Sequence, residues 1–223
     1  MTIDFADDAQ DLIAGYRRFR ANRYREARDL FRRLRDGQEP ATMILACADS
    51  RADPAMIFDA APGELFTVRN VAALAPPYDE SGGLHGVSAA LEFAVTRLKV
   101  KQILVMGHGG CGGVTASLAA AADRPVGKFI APWVELMADA RDAVLSNEAI
   151  PRADWQEAVE HGAVGQSISI LVYIIFFILL AGGHLGKVIL TGQKDAASMH
   201  KRFTEAGISD EQITALSNGI EPL

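Results

Sequence analysis

The sequence predicts an α/β fold with a central, mainly parallel β-sheet flanked by helices and preceded by an N-terminal helical arm. Short apolar runs of strand length alternate along the chain with amphipathic stretches of helical period. Strand, helix, strand, helix in this order implies parallel strands joined by helical crossovers. The 223 residues are enough for one sizeable domain, and 49% hydrophobic with 22% charged residues is typical of a globular protein.

The N-terminal region is basic within an acidic chain. Residues 11–34 read as one or two helices, and nine arginines lie between Arg17 and Arg35. An amphipathic arm with a solvated basic face is the simplest interpretation, and a surface for polyanions or membranes is the alternative. The net charge of −6 argues against general nucleic-acid binding.

The first strand and its crossover are predicted next. Residues 41–46 form an apolar run after Pro40 and read as a buried strand that ends at Cys47. Asp53 followed by Pro54 is typical of a helix N-cap and first turn, which predicts a short helix to about residue 60. Residues 64–68 then predict a second strand, and residues 75–83 a loop.

A second crossover follows the loop. Apolar residues at helical spacing predict a helix over 86–98, an apolar run predicts a strand over 102–106, and a further helix is expected from Gly112. Cys47 and the segment 107–113 therefore both lie where strands end. The carboxyl edge of an open parallel sheet is where ligands bind in such folds.

The C-terminal part is less regular. Residues 132–145 and 154–168 read as helices, and the apolar run 168–181 is shorter than the roughly 20 residues of a membrane-spanning helix. A buried strand or core helix is favoured, with a membrane-associated or subunit-interface segment as the alternative. The sequence also predicts a strand over 187–191, a helix over 196–206 and a capping box at 209–212. The predicted organisation is an N-terminal helical arm at 1–40, an α/β core at 41–166 and an atypical C-terminal region at 167–223.

Cys47, His108 and Cys111 are the candidate metal ligands. Two thiolates and an imidazole suit Zn²⁺, and three protein ligands leave a position open for water, as in catalytic zinc sites. A disulfide is the alternative for these cysteines, the only two in the chain. The acidic N-terminus lacks the apolar core of a secretory signal, which favours a reducing, cytoplasmic setting and metal ligation.

Asp49 and Arg51 lie two and four residues after the first cysteine. The Asp49 carboxylate could ligate the metal or accept a hydrogen bond from the metal-bound water. A bidentate Arg51 would hold it ionised and draw it away from the metal. A turn cap and a surface ion pair are the structural alternatives.

Three blocks carry a family resemblance: residues 47–51 (CADSR), 69–72 (RNVA) and 107–113 (GHGGCGG). From about Tyr24 to about Gln166 the chain resembles the β-class carbonic anhydrases. The resemblance implies Zn²⁺ as cofactor, CO₂ and bicarbonate as substrates, and reversible hydration of CO₂ by a zinc-bound hydroxide. It also implies that Asp49 orients the hydroxide, that Arg51 gates Asp49, and that the chain forms a homodimer or larger homo-oligomer.

Two other functions remain open at this point. A related zinc hydrolase acting on carbonyl sulfide or carbon disulfide would share every ligand. A non-catalytic zinc module, associated with a membrane through residues 168–181, is the rival from another class. Membrane association and nucleic-acid binding are both disfavoured. Some family members have a closed form in which the aspartate binds zinc, and these carry tryptophan where this chain has Ile44, so an open form is expected.

Overall fold

The computed structural model describes residues 5–79 and 85–180, with the side chains of residues 5–8, 172–173 and 176–180 excepted. The predicted strand at 187–191, the helix at 196–206 and the capping box at 209–212 lie outside the described residues, as does part of the predicted 75–83 loop. The described part of the chain divides into two compact units after Glu39.

The described part of the first unit contains three helices between Phe5 and Leu34. Its helices are α1 (Phe5–Ala21), α2 (Arg23–Glu26) and α3 (Arg28–Leu34). The helices are interrupted at Asn22 and Ala27, whose backbone angles lie outside the helical region. The sequence predicted one or two helices here, and the structure has three. No residue of α2 or α3 is buried, and their arginines face solvent.

The second unit is built on a parallel sheet, which confirms the predicted fold class. Its strands are β1 (Thr42–Cys47), β2 (Leu65–Asn70) and β3 (Gln102–Met106), in the order β2-β1-β3. The central strand β1 is buried from its second residue to its last, as its unbroken apolar sequence predicts. Cys47 pairs with Asn70 and Ala46 with Met106, so all three strands end at one edge.

Helices join and cover the strands. They are α4 (Pro54–Ile57), α5 (Gly86–Glu92), α6 (Gly112–Ala121), α7 (Ile130–Val134), α8 (Ala138–Leu145) and α9 (Trp155–Leu180). Asp53 caps α4 through a hydrogen bond from the Met56 amide, as predicted. The predicted 86–98 helix is present, but its second half, Phe93–Leu98, is a π-helix.

The apolar run at the C-terminal end of the described chain is a core helix. It continues α9 without a break, which decides between the strand and helix interpretations. Four of its side chains are buried and belong to the core cluster that contains the strands: Ile168, Leu171, Ile174 and Ile175. Among the helices that the structure describes, none is both long enough and apolar enough to cross a membrane.

Candidate metal centre

The three predicted ligands meet at the carboxyl edge of the sheet. Cys47 is the last residue of β1, His108 lies two residues beyond the end of β3, and Cys111 caps the N-terminus of α6. The two sulfur atoms are 3.9 Å apart, and all three potential ligand atoms lie within 4.8 Å of one another. Both cysteines are buried and free, so the pair is not a disulfide.

This donor set fits zinc. Two zinc–sulfur bonds of about 2.3 Å at a tetrahedral angle would separate the sulfurs by about 3.8 Å, close to the observed spacing. The Nδ1 atom of His108 lies 3.0 Å from the carbonyl oxygen of Gly109, which can only accept a hydrogen bond. A neutral imidazole therefore carries its proton on Nδ1. Its Nε2 lone pair is buried and has no hydrogen-bond partner in the part of the chain that the structure describes, as a ligand's would be before the metal binds.

The two thiols hold one negative charge between them. A hydrogen bond from Cys111 lowers the pKa of Cys47 well below its ordinary value. The resulting thiolate, together with burial, raises the pKa of Cys111 above its ordinary value. The free site is therefore already half deprotonated, and one further proton must leave before both sulfurs can bind a metal.

Asp49 and Arg51 form a paired unit beside the ligands. The Arg51 guanidinium donates from Nε to Oδ1 at 2.9 Å and from Nη2 to Oδ2 at 2.7 Å, and its backbone amide also donates to Oδ1 at 2.9 Å. These hydrogen bonds hold the pKa of Asp49 well below its ordinary value. Asp49 Oδ2 lies 3.9 Å from His108 Nε2, so the carboxylate borders the site while both its oxygens are occupied by Arg51.

Arg51 also connects the pair to the second ligand loop. Its Nη2 atom donates to the carbonyl oxygen of Gly110 at 3.1 Å. Gly110 has φ +64°, a left-handed conformation that favours glycine, and it places this carbonyl next to Cys111. The Arg51 side chain thus bonds to both of the segments that carry candidate ligands.

Arg69 stabilises the segment that begins at Cys47. It donates to the carbonyl oxygens of Cys47 at 2.9 Å and Asp49 at 2.6 Å, and it pairs with Asp53 at 2.7 Å. The sequence singled out the block 69–72 by resemblance but gave Arg69 no role. Its contacts show that it fixes the turn between the strand end and α4.

Two residues of α9 reach the candidate ligand Cys111, and the sequence did not single out either of them. Glu160 accepts from the Cys111 amide at 2.8 Å, and Gln156 donates to the Cys111 carbonyl at 3.1 Å and to Glu160 at 2.6 Å. Their spacing of four residues on a predicted helix was the available signal. Nothing in the linear sequence indicated that this face would meet a residue more than forty positions earlier.

The remaining histidines of the described chain lie apart from the ligand group. His85 is 3.5 Å from the Asp79 carboxylate, and His161 lies on the exposed side of α9 near Glu157. Neither belongs to the cluster of potential ligands. His184 and His200 lie outside the described residues.

Comparison with known proteins agrees with this geometry. A sequence model of the carbonic anhydrase family matches residues 42–176. β carbonic anhydrase 3 of Arabidopsis thaliana is 36% identical over 140 residues, which cover 62% of this chain and 54% of that protein. The chain thus spans about half the length of this curated relative.

Solved structures extend the likeness to the fold. The β-carbonic anhydrase CcaA is 30% identical with a TM-score of 0.71, over 81% of this chain and 82% of that one. The Coccomyxa β-carbonic anhydrase, solved with acetazolamide, is 25% identical with a TM-score of 0.69, over 92% and 99%. One of two β-carbonic anhydrases described as tetrameric, from Sordaria macrospora, is 25% identical with a TM-score of 0.59, over 83% and 89%.

Proposed function

Because the chain belongs to the β-carbonic anhydrase family, we propose that it catalyses the reversible hydration of CO₂ to bicarbonate and a proton at a zinc site formed by Cys47, His108 and Cys111. The observation that carries this proposal is the meeting of three metal-binding atoms with an arginine-paired carboxylate. The three atoms lie within 4.8 Å of one another, and the carboxylate lies 3.9 Å from the imidazole nitrogen.

The metal would occupy the space between the two sulfurs and Nε2 of His108. When bound there, zinc lowers the pKa of a water molecule enough to supply hydroxide near neutral pH. Three protein ligands leave one position open for this chemistry. Cys111 stands at the N-terminus of α6, where the helix dipole favours the negative charge that its sulfur would carry as a metal ligand.

Asp49 orients the attacking water in this proposal. Its carboxylate is a hydrogen-bond acceptor next to the imidazole, and an ionised acceptor can fix the direction in which the water presents its lone pair to CO₂. Arg51 keeps the carboxylate ionised and away from the ligand set by occupying both of its oxygens. This arrangement supports the open form that Ile44 led us to expect.

The assembly and compartment are part of the same proposal. Large apolar side chains are exposed on the second unit, including Met56 at 82% and Phe129 at 83%. A homo-oligomer would cover such surface, and the Sordaria relatives are described as tetramers. A reducing, cytoplasmic setting suits a site that needs both thiols free.

A stopped-flow CO₂ hydration assay on the zinc-loaded protein tests the proposal. We expect one zinc per chain and rapid hydration, with both lost in Cys111→Ser. Carbonyl sulfide and carbon disulfide, assayed in parallel, test the rival hydrolase, and light scattering gives the native mass. A zinc-loaded, folded protein without hydration activity would contradict the proposed enzyme and favour a non-catalytic zinc module.

A further inference from the structure

A cavity lies in the helical layer of the second unit. It has a volume of about 380 Å³ and lies between the end of α6 and the start of α9. This volume falls within the range of small-molecule sites. Leu118, Ala121 and Leu145 provide an apolar wall. None of the three candidate zinc ligands lines the cavity, and Gln156, which donates to the Cys111 carbonyl, lies on the side nearest to them.

Two arginines give this cavity a positive charge. Arg124 and Arg152 both line it, and neither makes an ion pair with a carboxylate among the described residues. Asp154 and Glu157 belong to the same region of the chain but do not line the cavity. The charge that faces the cavity is therefore cationic, and it is reinforced by the N-terminus of the long helix α9.

Trp155 adds an aromatic ring to the lining of the cavity. The Arg152 guanidinium lies 5.3 Å from the centre of this ring, within the range of a cation–π contact. The contact holds one of the two cations beside an apolar surface of the cavity.

We propose that this cavity binds a small organic carboxylate with an apolar body. The two arginines are the donors that a carboxylate takes in preference to a neutral group. The alanine and leucine side chains take the apolar body. An inorganic anion would leave the apolar wall uncovered, and a neutral aromatic compound would leave the two cations unpaired.

Titration of the zinc-loaded, full-length protein tests this site. Benzoate is the probe, benzamide is its neutral counterpart, and acetate is the carboxylate without an aromatic body. Calorimetry should show saturable binding of one benzoate per chain, with benzamide and acetate each at least about tenfold weaker. If the wild-type protein shows no saturable binding of benzoate, or binds benzamide with equal affinity, the proposal is overturned.

Variants locate the bound benzoate. Arg124→Ala and Arg152→Ala should each weaken binding about tenfold or more, whereas Arg97→Ala, an exposed arginine on another helix, should not. Ala121→Phe, at an exposed position that lines the cavity, should block binding by filling it. Undiminished binding in the double arginine variant would place benzoate elsewhere, including at the metal, and would refute the site.

The two tryptophans offer a second readout. Trp155 lines the cavity, whereas Trp133 does not. Benzoate should therefore shift the indole resonances of Trp155 and leave those of Trp133 in place, with Trp155→Phe providing the assignment. Equal shifts, or none at saturation, would contradict the proposed contact.

Discussion

At the scale of single residues, the site depends on the protonation states of its side chains before a metal ion binds. His108 carries its proton on Nδ1 because the Gly109 carbonyl can only accept, and this leaves Nε2 free. The Cys47 thiolate is stabilised by its neighbour, and Asp49 is held ionised by Arg51. Each of these states is the one that the proposed chemistry requires, so little rearrangement is needed when zinc binds.

The shared charge of the two thiols predicts how many protons zinc displaces. With the pKa of Cys47 lowered and that of Cys111 raised, the two thiols share one proton at neutral pH. Zinc binding should release about one proton per chain at about pH 7, and zinc affinity should rise about tenfold per pH unit. Calorimetry in buffers of different ionisation enthalpy measures this number. Release of two protons would mean that the free site holds no thiolate.

Asp49→Asn isolates the role of the carboxylate. The amide has nearly the same shape but no charge, so zinc should stay bound while CO₂ hydration falls roughly 10²–10⁴-fold, the usual value of a positioned acid–base group. Asp139→Asn, on an exposed turn of α8, is the matched control and should change neither property. Unchanged hydration in Asp49→Asn would return Asp49 to a structural role.

The same variant predicts a pH dependence of stability. The pKa of Asp49 is lowered in the folded state from 3.8, so its pairing with Arg51 stabilises the fold fully above that pH. The contribution is lost as the pH falls below 3.8 toward the folded-state value. The difference in unfolding temperature between wild type and Asp49→Asn should therefore be constant from neutral pH to about 5 and shrink at lower pH.

At the scale of elements, helices α6 and α9 hold the metal-binding segment against the sheet. The N-terminus of α6 packs so closely on residues 71–73 that its second glycine has no room for a side chain. A Cβ on Gly113 would lie 2.8 Å from both Ala72 Cβ and Val71 Cγ1. Cys111 is fixed at the start of this helix, and its amide and carbonyl are both bonded to α9.

Two adjacent glycines test the close approach of α6. Gly113→Ala should destabilise the protein by about 1–3 kcal/mol, because the neighbouring backbone must move to admit the methyl group. Gly112→Ala is the matched control, since nothing lies within 4 Å of its Cβ position. It should be neutral or stabilising by up to about 1 kcal/mol. Chemical unfolding measures both, and equal effects would contradict the packing argument.

Substitutions of Glu160 test the hydrogen bond between α9 and the Cys111 amide. Glu160→Leu would leave the Cys111 amide without its acceptor, which should cost about 1–3 kcal/mol and weaken zinc binding. Glu160→Gln keeps an acceptor oxygen and should preserve most of both. Glu157→Leu, an exposed glutamate one turn earlier, is the control. If Glu160→Leu and Glu157→Leu behave alike in unfolding and zinc affinity, α9 does not position the ligand.

The sequence predicted the elements of the site better than their mutual contacts. The strand ends were predictable because an unbroken apolar run such as residues 41–46 has one plausible structure, and parallel strands bring their ends together. The segment 168–181 was ambiguous because an apolar run without alternation suits a strand or a buried helix equally. The structure decides it, because the run continues α9 without a break and buries Ile168 and Leu171 in the core cluster that contains the strands. The contact of Glu160 with Cys111 depends on how α9 is rotated against the sheet, which no local pattern encodes.

At the scale of the whole second unit, α9 connects the metal centre to the main core. Its first half contributes Val159 and Ala163 to the cluster that contains Cys47 and Cys111. Its second half contributes Ile168 and Leu171 to the cluster around the strands. The two clusters share one helix and one sheet, so we expect them to unfold together.

Leu171→Ala tests this cooperativity at the end of α9 remote from Cys111. Leu171 is 2% exposed, and removing its side chain should cost about 2–5 kcal/mol through lost burial and the cavity left behind. Because both clusters rest on α9, zinc should be released in the same transition as the loss of helical signal, at a lower denaturant concentration than in wild type. His161→Ala, an exposed change on the same helix, should leave the transition in place. Retention of zinc after the core has melted would show that the metal centre folds independently of α9.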